Sequence, residues 1–257
     1  MSGVVVEYAG RVGRITLARP EQLNALDDGI RRELASALHD LEDRPDVSVV
    51  VLRGAGRAFS AGADLKNTAY PPLEGDWSTR RHRTGTWQRL LEQFDRIPQV
   101  TVAGLHGHVI GGAALLAAAC DIRVAARDTV LRIPELAIGI PLTWAGIPLL
   151  VREVGLPVAR DWVMTCRAVE VDELLRTGYV TRVADDLDAA VDACVDELLA
   201  VPPGPLAMTR AMTSAIGRTS PAMVAGWGDA DHQQWSFTEA EYRDAARTYI
   251  TRLRGDA

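Results

Sequence analysis

Hydrophobic positions along the chain follow two rhythms. In the first half, short apolar runs alternate with helical spacings. VVVEY (residues 4–8) and VGRITLA (12–18) flank Ala9-Gly10 and read as a β-hairpin. In LDDGIRRELASALHDLEDR, Ile30, Leu34, Leu38 and Leu41 recur at helical spacing until Pro45 and Asp46 end the pattern. VSVVVLRG is a β-branched run of the kind that forms a strand buried on both faces. Residues 67–84, NTAYPPLEGDWSTRRHRT, break the rhythm and read as a mobile loop leading into a helix near 87–94. VTVAGLHG is a further strand, the near-apolar run 109–120 within HVIGGAALLAAACD a glycine-opened buried helix, and DIRVAA and TVLRIP two short strands.

From about Leu156 the pattern turns helical. VEVDELLRTGYV reads as a helix ended by Gly178, and LDAAVDACVDELLAV as an amphipathic helix closed by Pro202-Pro203. TEAEYRDAARTYITRLRG carries Thr238 and Glu241 at capping-box spacing, with basic residues near its end. Together these patterns predict an α/β protein whose last part, from residue 201, is a helical layer. No G-x-G-x-x-G follows the first strand and no G-x-x-x-x-G-K-[ST] occurs, so a dinucleotide fold and a P-loop are not expected.

Composition adds limits. The 257 residues suffice for a sizeable core, and a net charge of −6 argues against nucleic acid as a partner. The longest near-apolar run, 109–120, is far short of the roughly 18 residues of a membrane span, so no membrane partner is expected. The N-terminus lacks the basic start and apolar core of a signal peptide. Cys120, Cys166 and Cys194 show no metal-like spacing, and a cytoplasmic protein with buried reduced thiols and no metal is the expectation.

Three stretches carry candidate chemistry. In GRAFSAGADLKN (56–67), small residues around Gly62 let backbone approach a ligand, with the Ala63 N–H turned outward; a tight loop between a strand and a helix is the alternative. A helix opening at Gly111-Gly112 presents unpaired N–H groups, and that of Gly112 suits a developing oxyanion; close packing of a glycine is the alternative. RIPELAIGIPLTW sets Glu135 among apolar residues, where desolvation would raise its pKa toward a proton-transfer role, unless it is an exposed strand-end carboxylate.

RPEQLNAL, FSAGADLK, HGHVIGGAALLAAACDIRVAA and PELAIGI resemble, in order and spacing, the enoyl-CoA hydratase/isomerase or crotonase superfamily, strongly over residues 4–200 and more loosely beyond. The resemblance implies a crotonase-like spiral of repeated β-β-α units over 1–200 and a helical C-terminal region over 201–257 that mediates homotrimers, often paired into hexamers. It implies an acyl-CoA thioester as substrate, with coenzyme A part of that substrate and no separate cofactor. The two backbone donors to the thioester carbonyl map onto Ala63 and Gly112, with Gly111 beside them. The CoA-contacting segments map onto Gln22, Leu23, Ala25, Ala61, Asp64 and Leu65, and Lys66 either meets phosphate or is a solvated surface lysine. Asn24 reads as structural and Asp121 as a support for the strand and loop after it; His106 and His108 flank the site on the strand-to-helix loop, and His108 reads as a hydrogen-bonded structural histidine unless it assists the chemistry.

Family hydratases use two glutamates. Here Leu115 stands at the first of those positions and Glu135 at the second. Thr143 and Trp144 replace small residues of the turn that helps hold water, and Trp144 is expected to shape the acyl pocket. One base suffices to move a double bond from the 3,4 to the 2,3 position, and the pattern resembles the enoyl-CoA isomerase branch. Hydration remains open if Glu74 or Asp76 swings in from the loop. Other enolate chemistry (decarboxylation, thioester hydrolysis) and a non-catalytic acyl-CoA-binding role are the remaining alternatives. Arg80, Arg81, His82 and Arg83 either meet CoA phosphates or face solvent.

Overall fold

A computed structural model of the chain describes residues 2–65, 75–219 and 229–254. The expected hairpin is present: β1 (Val4–Ala9) and β2 (Val12–Leu17) pair antiparallel around Gly10, whose φ is 57°. α1 (Asp28–Glu42) starts where the Asp27 carboxylate accepts the Ile30 N–H at 2.9 Å, and it buries Ile30, Leu34, Leu38 and Leu41. β3 (Val49–Gly54) is buried on both faces. Val50 and Leu52 join the main core with α1, while Val49 and Val51 meet Val191, Cys194 and Val195 of α7 (Leu187–Leu199).

β4 (Val100–Leu105) and β6 (Ile122–Ala126) continue the large sheet, whose order is β1-β2-β3-β4-β6-β9, with β9 at Arg182–Ala184 and every pairing after the hairpin parallel. A second sheet joins β5 (His108–Ile110), β7 (Val130–Arg132) and β8 (Ala168–Glu170). The chain therefore runs β4, β5, α4 (Gly112–Ala118), then β6, β7, α5 (Gly146–Thr165). Each unit gives its first strand to the large sheet, its second to the small one, and then a helix, which makes the turns of a spiral. Among the described residues, the unit that starts with β3 reaches the small sheet through a bridge from Ser60 to Val109. All seven residues of α4 are buried, and α5 breaks at Gly155 (φ 76°) just before Pro157. Further described helices are α6 (Val171–Arg176), α8 (Pro203–Thr219) and two at the C-terminus, Asp229–Thr238 and Ala240–Arg254.

Three expectations are corrected. Residues 77–84 are not loop: α2 (Trp77–Thr84) forms there, capped by Asp76, which accepts the Thr79 N–H at 2.8 Å, and α3 (Thr86–Phe94) follows. Val109 and Ile110 belong to strand β5, not to the glycine-opened helix. Thr238 is not at the cap of the last helix: it ends the helix before it, Asp229–Thr238, one residue short of the cap position of Ala240–Arg254, and its hydroxyl donates back to the Trp235 carbonyl at 2.7 Å. All three cysteines are buried free thiols, and burial pushes that of Cys120 up to about 12. Among the described residues no helix is long and apolar enough to cross a membrane.

Candidate active site

The site begins with two loops whose backbone groups are almost fully spent on each other. Leu23 and Asn24 both have left-handed backbone, φ 50° and 53°. Buried Asn24 donates to the carbonyls of Ala55, Ala58 and Phe59 at 2.8, 2.9 and 3.2 Å and accepts the Arg19 N–H at 3.0 Å. It is thus the structural clamp expected of it. The Ala61 N–H donates to Leu23, that of Leu26 to Gly62, that of Asp64 to Leu26, and that of Gly62 to the Ser60 hydroxyl. Ala63 is left over: among the described residues its amide donates to no acceptor.

Gly62 sits at φ 78°, and a Cβ there would stand 2.4 Å from the Ile110 carbonyl oxygen, so only glycine lets this loop lie along β5. β5 ends at Gly111, whose N–H donates to Arg132 at 2.8 Å and whose φ of 55° turns the chain into α4. Gly112 is the first residue of that helix, where the geometry supplies no intrahelical acceptor, and its amide has none among the described residues. Two unspent amides, Ala63 and Gly112, therefore line one cavity of about 640 Å³. In a site shielded from water, such fixed donors stabilise charge developing on a carbonyl oxygen without reorganising.

Glu135 follows Pro134 and opens a 3-10 turn, Glu135–Ile138. A Cβ built on Gly111 would stand 2.6 Å from its Oε1, so the carboxyl lies against the backbone beside the Gly112 amide. Oε2 is buried and has no hydrogen-bond partner among the described residues. Desolvation pushes the carboxyl up to about 7, opposed only in part by its own backbone N–H. A carboxyl poised there holds or releases a proton near neutral pH.

Leu115, one turn after Gly112, is 1% exposed, and a Cβ on Gly146 would stand 2.7 Å from its Cδ1. Trp144 lies over Gly112 and stacks on Trp87 at 4.7 Å between ring centroids. Gln22, Leu23, Ala25, Ala61, Asp64 and Leu65 line the same cavity, as do Gly111, Leu115 and Trp144, so the structure gathers these sequence-derived positions into one place. Lys66 and Glu74 lie outside the described residues. Asp76 is occupied as a helix cap, which holds its carboxyl below the usual range.

His106 shares a hydrogen bond with the Gly56 carbonyl at 3.0 Å. His108 differs from expectation: it is exposed on the cavity wall and its ring bonds no described residue, because alternation along β5 turns it outward. Asp121 accepts the Thr101 N–H and hydroxyl at 2.7 and 2.8 Å and pairs with Arg210 at 3.0 Å, so it ties strand β4, which precedes it, to α8. Arg81, His82 and Arg83 are exposed, Arg81 pairs with Asp231 at 2.8 Å, and none of the 80–83 cluster lines the cavity. Sequence reasoning missed Arg57, Arg132, Gln233 and Tyr249 on the cavity wall. The last two come from the C-terminal helices, more than a hundred residues along the chain from the loops they face, and no local pattern marks them.

The profile of the "Enoyl-CoA hydratase/isomerase" family matches residues 7–253. A probable enoyl-CoA hydratase of Mycobacterium bovis is 36% identical, over 72% of this chain and 70% of its own. A Delta(3,5)-Delta(2,4)-dienoyl-CoA isomerase of Pyricularia oryzae is 34% identical, over 75% and 72%. The crystal structure of an enoyl-CoA hydratase/isomerase from Mycobacterium paratuberculosis superposes with a TM-score of 0.86 at 25% identity, covering 96% of this chain and 98% of that one.

Proposed function

The chain is an enzyme that belongs to the enoyl-CoA hydratase/isomerase family and has its crotonase-like spiral fold, and from that premise we propose that it shifts the double bond of a 3-enoyl-CoA to the 2-position. The thioester oxygen sits between the Ala63 and Gly112 amides. Glu135, ionised, takes a proton from C2; the electron pair moves onto the thioester oxygen as an enolate held by the two N–H groups. The same carboxyl, now protonated, returns the proton at C4, and the double bond settles between C2 and C3. No water enters the balance. Coenzyme A arrives as part of the substrate, along the loops of Gln22–Ala25 and Ala61–Leu65.

The observation that carries this reading is the pairing of buried Leu115 with desolvated Glu135 at the start of α4. Leucine neither binds nor deprotonates water, and it keeps the space beside the enolate dry. Glu135→Gln tests it: turnover should be lost while acyl-CoA binding by calorimetry persists. Full activity in this variant would end the mechanism. A second reading, hydration of a 2-enoyl-CoA, is favoured by the hydratase names of several relatives. It requires a second group to manage water. Among the described residues the other carboxylates on the cavity wall are Glu21 and Asp64, both on the CoA side of the cavity in this reading.

A further inference from the structure

One wall of the cavity is made of tryptophan, and it is held there by unusual means. A Cβ built on Gly112 would stand 2.1 Å from Cζ3 of Trp144 and 2.6 Å from Cη2, so the ring rests on the α-carbon of the residue whose amide is unspent. The ring is stacked on Trp87 with 11° between planes. Trp87 is buried in α3 and packs into the main core, so the wall is two rings thick and has no slack behind it. The turn that delivers Trp144 is strained: Trp144 and Ala145 both have left-handed backbone, φ 63° and 57°, which residues with a Cβ avoid. Such a turn persists where the surroundings hold it. The holder comes from the C-terminal part of the chain: Asp229, itself buried, accepts the Ala145 N–H at 2.8 Å.

We propose that Trp144, backed by Trp87 and pinned through Ala145 by Asp229, is the specificity-determining wall of the acyl site and restricts it to short acyl groups. This rests on the acyl-CoA reading above. A thioester carbonyl between the Ala63 and Gly112 amides sets its acyl carbons beside the Gly112 α-carbon, where the indole already lies. A long chain has to displace a stacked ring pair, whereas a short one ends before it. Asp229 is a positioning residue, acting on substrate only through the turn.

The test is calorimetric binding of butyryl-, octanoyl- and dodecanoyl-CoA, saturated thioesters that need no turnover. The wild-type protein should bind butyryl-CoA at least as tightly as dodecanoyl-CoA. In Trp144→Ala the dodecanoyl-to-butyryl affinity ratio should rise about tenfold or more, the order of discrimination a hydrophobic pocket achieves. Asp229→Ala should raise the ratio in the same direction. Asp229→Asn, which keeps an acceptor for the Ala145 N–H, should restore the wild-type ratio, and a merely destabilising role would not produce that pattern. An unchanged ratio in Trp144→Ala and Asp229→Ala, or a wild-type protein that already binds dodecanoyl-CoA tightest, overturns the proposal. Failure of all three thioesters to bind the wild-type protein overturns the acyl-CoA reading itself, and the proposal with it.

Discussion

Glu135→Gln should stabilise the protein while disabling it. The carboxyl moves from an ordinary value of 4.5 to about 7 on folding because burial disfavours its charged form. The sign follows from proton counting. Below pH 4.5 the group is protonated folded and unfolded, and it contributes nothing. Between 4.5 and about 7 the unfolded chain releases the proton while the folded one retains it, so stability falls as pH rises. Above 7 the whole penalty is present. At 1.36 kcal/mol per pH unit that interval amounts to about 3 kcal/mol. Glutamine has nearly the same shape and cannot ionise, so the variant escapes the penalty. Urea denaturation followed by tryptophan fluorescence should show the variant about 3 kcal/mol more stable at pH 8 and nearly equal to the wild type at pH 4.5. Other groups raised by burial, Asp95 and Asp229 among them, are common to both proteins and cancel in the difference. Turnover should drop about 10²–10⁴-fold, the usual worth of a general acid–base group. Equal stability at pH 8, or a gain that is the same at both pH values, would mean that the carboxyl is not desolvated in the way described.

Three further predictions follow from the same geometry. The kcat/KM of isomerisation should rise with pH through a midpoint near 7, as Glu135 ionises to its basic form, and a flat profile from pH 5.5 to 8.5 would contradict its role. Asn24→Ala removes the clamp on three loop carbonyls, two of them buried, and should cost about 1–3 kcal/mol of stability in denaturant titration, with loss of turnover as the Ala63 amide drifts. We propose self-association through α8, whose Met208, Met212 and Ile216 are exposed at helical spacing; light scattering should find trimers or their pairs, and Met212→Asp should weaken them, whereas a wild-type monomer would refute this.

Much of this was legible in the chain because local physics decided it. The hairpin at Gly10, the apolar stripe of α1 and the doubly buried run of β3 each follow from a single periodicity. The unspent amides of Ala63 and Gly112 were readable through their neighbouring glycines, since Gly62 and Gly111 occupy positive φ where a Cβ would collide. α2 was not readable: WSTRRHRT has no apolar stripe, and the helix rests on the Asp76 cap and on the buried bond from Gln234 to Thr84 at 2.6 Å. β5 is only three residues long, too short for alternation to stand out beside the glycine-opened helix. The Trp144–Trp87 stack joins residues far apart in sequence, and the left-handed turn under it depends on Asp229, from the other end of the chain. Those features are tertiary, and the sequence around each residue carries no mark of them.

In the proposed reaction one carboxyl beside two amides moves a double bond without water. The measurement that tests it most directly offers purified protein a 3-enoyl-CoA and a 2-enoyl-CoA separately, following conjugation and water addition in each. The 3-enoyl substrate should convert to the conjugated 2-enoyl product, with no hydroxyacyl product from either. Rapid hydration of the 2-enoyl substrate would contradict it, because a second acid–base group would then be working beside Glu135.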